Sequence, residues 1–197
     1  MALSVLSYLE MHSPDELVPA KELPVEIRAV EEVSPEFARY LYTAVGGHWH
    51  WFGKLGWNWN QWVEWLSRPG FETYVPWVGG VPAGYVALRG VGSEVEIENF
   101  GLLKGFIGRG LGGHLLTVGI RQAWTLHERH EDVAPITRVW VNTNTLDGPA
   151  ALANYQARGL TPYKTLEEER PDAVRTAPGP WPGWDGPPGV VREVPAG

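Results

Sequence analysis

Three stretches of this sequence have residue types and spacings that can do chemistry. The first is a glycine-dense loop, residues 105–113, with glycines at 105, 108, 110, 112 and 113. It follows a strand-like run, 94–103, and leads into an apolar segment of helical period, 111–127. A strand, a tight turn and a helix N-terminus together offer backbone N–H groups and the positive end of a helix dipole, which is how proteins hold phosphates. The second is Glu96 and Glu98, two apart on one strand and therefore on one face. Like-charge proximity raises one carboxyl pKa and makes a better base, while the plainer outcome is two solvated carboxylates on an exposed sheet face. The third is His48 and His50 alternating with Trp49 and Trp51. That spacing suits a metal pair, but no third ligand is evident, so no metal is expected. The ring faces suit a cationic amine, and the tryptophans are equally suited to packing between two early helices.

The elements that must position these groups follow from periodicity and punctuation. Residues 25–30 alternate as a half-buried strand. Ser34 and Pro35 open a helix to about Val45 with Phe37, Leu41 and Ala44 inward, ended by Gly46 and Gly47. Asn60 is the expected cap of a short helix carrying Trp62 and Trp65. Strand runs at 73–78, 84–88 and 95–103, with a glycine-pair turn at Gly79-Gly80, read as an antiparallel meander. After the loop helix, 137–143 is strand-like, and the strand-helix-strand order implies a parallel pairing with the strand before the loop. Asp147 is the expected cap of a short helix to Ala157, and 161–168 closes the sheet. Residues 1–24, with a candidate extra strand at 3–9, read as an N-terminal extension to a domain spanning 25–170. Residues 171–197 form a Pro/Gly/Trp-rich tail with no packed core of its own, expected either to be disordered or to dock its tryptophans on the body or on a second copy, as in a homodimer.

Three patterns compete for the loop. Gly108, Gly110 and Gly113 satisfy G-x-G-x-x-G, but the acidic residue expected at the end of the next parallel strand is absent, since that strand ends in Asn142-Thr143. Gly105 and Gly110 have P-loop spacing, but Leu111-Gly112 stands where the lysine and hydroxyl belong. The third pattern fits more of the chain. Gly110-Leu111-Gly112 after an alternating strand resembles the R/Q-x-x-G-x-G/A loop of the GNAT superfamily of acyl-CoA-dependent N-acyltransferases. Val139-Trp140-Val141-Asn142 is similar to its fifth strand, and residues 151–160 to its A-x-x-x-Y-x-x-x-G-F segment, the resemblance covering roughly 25–169. Ile107 stands at the Arg/Gln position, Asp147 or Gly148 at the usual asparagine, and Leu160 at the usual phenylalanine.

The resemblance implies an α/β (α+β) fold: a mixed, mostly antiparallel sheet flanked by helices, with a central parallel strand pair splayed around the cofactor. It implies acetyl-CoA as acyl donor, no metal, and direct transfer of the acetyl group to a primary amine in a ternary complex. Such transfer needs a base for the amine, a donor at the thioester carbonyl and an acid for the leaving thiolate. By resemblance Glu96 is the base with Glu98 in reserve, and Tyr155 the acid. The pantetheine arm would pair near Leu102 and the carbonyl meet an N–H near Phe100. The pyrophosphate would rest on Ile107, Gly108, Arg109, Gly110, Gly112 and Gly113. The acceptor, a small-molecule or peptide amine, would meet His48, Trp49, His50 and Trp51, with Asn142 at the substrate or merely satisfied at a strand edge. The competing functions are a noncatalytic acyl-CoA-binding regulatory module and, on glycine count alone, a dinucleotide-binding protein.

Composition bounds these readings. At 197 residues and 44% hydrophobic the chain supports one well-cored domain. Its net charge of -7 argues against nonspecific nucleic-acid binding. With no cysteine, disulfides, thiolate metal sites and a cysteine nucleophile are excluded. No apolar run reaches membrane-spanning length, and Met1-Ala2-Leu3-Ser4 lacks the basic region of a signal peptide, so a cytoplasmic protein without membrane partners is expected.

Overall fold

A computed structural model describes residues 2–170. The expected tail at 171–197 lies outside the described residues. In chain order the strands are β1 (Ala2–Met11), β2 (Glu26–Ala29), β3 (Phe71–Val78), β4 (Val81–Pro82), β5 (Gly84–Val91), β6 (Glu94–Leu102), β7 (Arg138–Asn144) and β8 (Thr161–Arg170). The helices are α1 (Pro35–Gly46), α2 (Trp59–Leu66), α3 (Leu111–Trp124) and α4 (Ala151–Ala157). One sheet runs β2-β3-β5-β6-β7-β1-β8, with β4 paired to β3. Every pairing is antiparallel except β6 with β7.

The sheet buries both faces. On one, Leu115, Leu116 and Ile120 of α3 pack fully buried against Val86 and Leu88 of β5 and Val139 of β7. Each such side chain contributes about 1.5–3 kcal/mol of transfer free energy. Gly119 lets α3 come close, because a Cβ there would stand 3.0 Å from Val86 Cγ2. On the other face Leu41 and Val45 of α1 meet Val75, Tyr85 and Ala87, and beside them Tyr42, Trp62 and Trp65 form an aromatic core. Much of the tryptophan-rich segment is therefore packing between α1 and α2, with Trp57 edge-on to Trp62.

Four expectations are corrected. The N-terminal strand is not an appendage: β1 lies between β7 and β8 and pairs with both, with Leu9 and Met11 in the main core. Helix α2 is capped by Asn58, not Asn60; its side chain takes the Gln61 N–H while Gln61 returns a bond to the Asn58 N–H, a complete capping box. Asp147 caps nothing, since α4 begins after Ala150 and the Asp147 carboxylate is engaged elsewhere. The loop helix stops at Trp124, and a separate single turn covers Leu126–Glu128.

Candidate functional site

Two local features open a gap in the middle of the sheet. Strands β6 and β7 pair only from Glu94 with Arg138 to Ile97 with Val141; beyond that β6 runs on to Leu102 and β7 to Asn144 without a ladder between them. At the same level β6 bulges, because Leu88 faces Ile97 but Ala87 faces Asn99, leaving Glu98 without a partner on β5. The edge that β6 turns toward β7 thus has free backbone groups over residues 98–102.

A cavity of about 850 Å³ fills this gap. At one end is the glycine loop. Gly108 (φ 84°) and Gly110 (φ 78°) are left-handed, a conformation glycine adopts without strain, and they turn the chain into α3. Gly110 is the N-cap of α3 without a side-chain cap, and the first bond inside the helix is donated by the His114 N–H to the Gly110 carbonyl at 3.4 Å. The N–H groups of Leu111, Gly112 and Gly113 precede that bond, and Gly112 and Gly113 line the cavity. His114, one turn into α3, is buried.

Arg158, at the C-terminal end of α4, closes this end, a role its sequence context does not reveal. It is the one Lys or Arg among the residues lining the cavity. Its guanidinium lies over the first turn of α3, so that a Cβ on Gly113 would stand 2.6 Å from Nη1. Its Nε–H donates to the Ala157 carbonyl at 3.0 Å, and it pairs with no carboxylate among the described residues. Nothing in its local run, Gln156-Ala157-Arg158-Gly159, announces this; only the packing of α4 on α3 brings it to the loop.

The middle of the cavity is lined by Phe100, Gly101 and Leu102 of β6, Asn142 and Asn144 of β7, and Tyr155 of α4. Tyr155 is 5% exposed and its ring lies 5.8 Å from that of Phe100. Its hydroxyl makes no hydrogen bond among the described residues. Burial, and next the negative charge of Asp147, hold the phenol pKa well above its ordinary range. Asn99, also in the wall, is 8% exposed and its Oδ1 has no hydrogen-bond partner.

At the far end Trp49, His50, Trp51 and Phe52 form one wall with Tyr42. His50 is the only described non-glycine residue at positive φ (60°), and there the chain turns back after the single helical turn Gly47–Trp49. The Trp51 indole packs against Gly46, where a Cβ would overlap the ring. Its Nε1–H donates to Asp147 Oδ1 at 3.2 Å, and Asp147 Oδ2 accepts from the Thr143 hydroxyl (2.7 Å) and the Asn144 N–H (3.0 Å). Asp147 thereby ties the aromatic wall to the end of β7.

The two glutamates share a face but not a fate. Glu98 lines the cavity, accepts from Trp65 Nε1 (2.8 Å) and pairs with Arg68 (2.5 Å), with Lys54 Nζ 3.9 Å away. Lys54 lies over the rings of Trp65 (4.5 Å), Tyr42 (5.2 Å) and Trp57 (5.5 Å). Burial lowers its pKa, and Glu98 opposes that shift. Glu96 precedes the bulge, where β6 still pairs with β7, and is not among the lining residues. Its carboxyl makes no ion pair among the described residues; burial first, then Glu98, raise its pKa.

Of the other expected contacts, Phe100, Leu102, Ile107, Gly108, Gly110, Gly112 and Gly113 line the cavity, as do Trp49, His50, Trp51 and Asn142. Arg109 does not; its guanidinium stacks 5.3 Å from the Phe106 ring. His48 does not either: it lies in the Gly47–Trp49 turn, where burial and Lys104 lower its pKa. Among the described residues no group of three or more His, Cys, Asp or Glu could hold a metal ion, and no helix is long and apolar enough to cross a membrane.

No protein-family model matches the sequence, and no curated protein matches it. Solved structures do. A GCN5-related N-acetyltransferase from Sphaerobacter thermophilus superposes with TM-score 0.58 at 19% identity, over 87% of this chain and 53% of that one. A GCN5-related N-acetyltransferase from Kribbella flavida gives 0.58 at 17%, over 83% and 56%. A functionally unknown conserved protein from Staphylococcus epidermidis gives 0.56 at 17%, over 84% and 60%. The chain thus spans little more than half the length of these structures. It has the GNAT fold, a mostly antiparallel mixed sheet with one parallel pair, flanked by helices.

Proposed function

From a GNAT fold whose sheet opens between β6 and β7, we propose that this chain binds an acyl-CoA thioester in the gap and transfers the acyl group, acetyl, directly to a primary amine. The observation that carries the reading is the continuity of the cavity from the α3 N-terminus and Arg158, past the unpaired edge of β6 and the Tyr155 hydroxyl, to the aromatic wall. The residues present fit such a donor. Glycines leave the backbone of the loop open to phosphates, Arg158 supplies a cation, and the β6 edge offers N–H and C=O groups to an extended amide-bearing arm.

In this reading a backbone N–H at the β6 bulge polarises the thioester carbonyl. The amine nitrogen forms the new bond to the carbonyl carbon as the carbon–sulfur bond breaks, and Tyr155 gives its proton to the departing sulfur. The amine sheds its proton toward the two glutamates. Glu98 lines the cavity with Arg68 and Lys54 beside it, which fixes its side chain in place as a polar contact for the incoming amine. Glu96, whose pKa burial raises and which makes no ion pair among the described residues, takes the proton through water.

A noncatalytic acyl-CoA-binding module is the second reading, favoured by the removal of Glu96 from the cavity wall and the engagement of Glu98. Release of free CoA thiol from acetyl-CoA with a panel of amines separates the two. Turnover supports transfer; thermal stabilisation by CoA without turnover on any amine supports the module; stabilisation by NAD and not by CoA sinks both.

A further inference from the structure

The charged groups that reach the acceptor end of the cavity are of one sign. Apart from Arg158 at the loop end, the charged residues in the lining are Glu98 and Asp147. Asp147 accepts hydrogen bonds from a hydroxyl, a backbone N–H and the Trp51 indole, and pairs with no Lys or Arg among the described residues. Arg68 and Lys54 stand behind Glu98; neither lines the cavity, and Lys54 is held among three ring faces. Arg89, which acts on Glu96, is also off the wall. A ligand seated against Trp49, Trp51 and Phe52 therefore meets aromatic faces, the His50 ring and two carboxylates, with no Lys or Arg among the residues that line that end.

We infer that the acceptor is a primary amine on an apolar, ring-bearing body that carries no carboxylate. The inference rests on the acyl-transfer reading of the cavity and names its second substrate. Most alkylamines arrive as ammonium ions, which ring faces and a carboxylate attract together. The same body with a carboxylate on the carbon next to the amine brings a second negative charge toward Asp147, which no Lys or Arg among the described residues pairs, while the cations beside Glu98 are already engaged by it. The amine should therefore be preferred over the parent amino acid although the apolar contact is the same.

Matched ligands on the unaltered chain test this without any variant, so loss of folding cannot imitate a result. Phenethylamine and tryptamine are titrated calorimetrically against phenylalanine, tryptophan, phenethyl alcohol and n-butylamine, each with and without CoA. Each aromatic amine is expected to bind at least tenfold tighter than its amino acid, with the alcohol and butylamine both weaker than phenethylamine. Equal or tighter binding of the amino acids would overturn the exclusion of carboxylates. Butylamine equal to phenethylamine would overturn the ring-bearing body, and phenethyl alcohol equal to it would overturn the charge argument. If none of the ligands binds while CoA does, the aromatic end is not an amine site. If CoA fails to bind, the acyl-transfer reading falls, and the ligand order measured without CoA still decides this inference.

Discussion

Replacing Tyr155 by phenylalanine separates chemistry from stability. The ring is buried against Phe100, and its hydroxyl, on the cavity wall, satisfies no group in the described chain. Tyr155→Phe keeps the ring and its contacts and removes one oxygen that bonds to nothing, so the change in stability should stay within about 1 kcal/mol. For a domain of this size that moves Tm by no more than about 2–4 °C. The phenol is held protonated by burial and by Asp147, so at working pH it has a proton to give to the departing sulfur. Losing a general acid costs about 10²–10⁴-fold in turnover, or roughly 3–5 kcal/mol of barrier. The assay is thiol release at saturating acetyl-CoA and amine, beside a thermal melt and a CoA titration of the same preparation. Turnover equal to that of the unaltered chain would refute the acid role. A large fall in Tm would refute the claim that the hydroxyl bonds to nothing.

Arg158→Gln should weaken CoA binding about 10-fold or more, the loss of one charge-assisted hydrogen bond, and leave binding of the phosphate-free pantetheine arm unchanged; calorimetry with both ligands checks it. Gly113→Ala should weaken CoA by the same route, since its Cβ would displace the Arg158 guanidinium. It should not unfold the chain, because alanine favours the helix by about 1 kcal/mol. Glu96 and Glu98 should respond with opposite signs. The folded-state pKa of Glu96 is raised, so its contribution to stability is present below the unfolded pKa and lost as pH rises through the folded one. Glu96→Gln should therefore be at least as stable as the unaltered chain at neutral pH and flatten the fall of Tm across that window. It should also lose the acid limb of the pH–rate profile. Glu98→Gln strands Arg68 and Lys54 and should cost roughly 1–3 kcal/mol, read as a lower Tm. Gly159→Ala should lower Tm by at least about 4 °C, because its φ of 97° is left-handed and a Cβ would fall on the Glu16 carbonyl oxygen.

What could be read in the sequence is what neighbouring residues decide. The meander, the parallel β6–β7 pair and the loop-to-α3 junction rest on period, turn chemistry and order, all local. The capping box of α2 was also written locally, in Asn58 and Gln61, three apart. Asp147 reads as a cap because a cap and a tether look alike in sequence; its partners Thr143 and Trp51 are brought to it only by packing. The two glutamates share a strand face by their spacing, but the bulge that sends Glu98 to the cavity and leaves Glu96 behind depends on how β5 pairs with β6. Arg158 and the central place of β1 are tertiary facts of the same kind.

The position of β1 sets a schedule. The Val5 N–H donates to the Thr145 hydroxyl oxygen across 140 residues of chain. At about 5–20 residues per second, a ribosome needs roughly 7–28 s to make the partner after the strand. For that interval an apolar strand with both edges unpaired waits outside the tunnel, while β3, β5 and β6 have their partners close at hand. Docking of β1 must then be among the last events of folding, and it should be slow, since long-range strand pairing spends loop-closure entropy before it gains contacts. During synthesis this chain should lean on a chaperone for its first strand more than for any other.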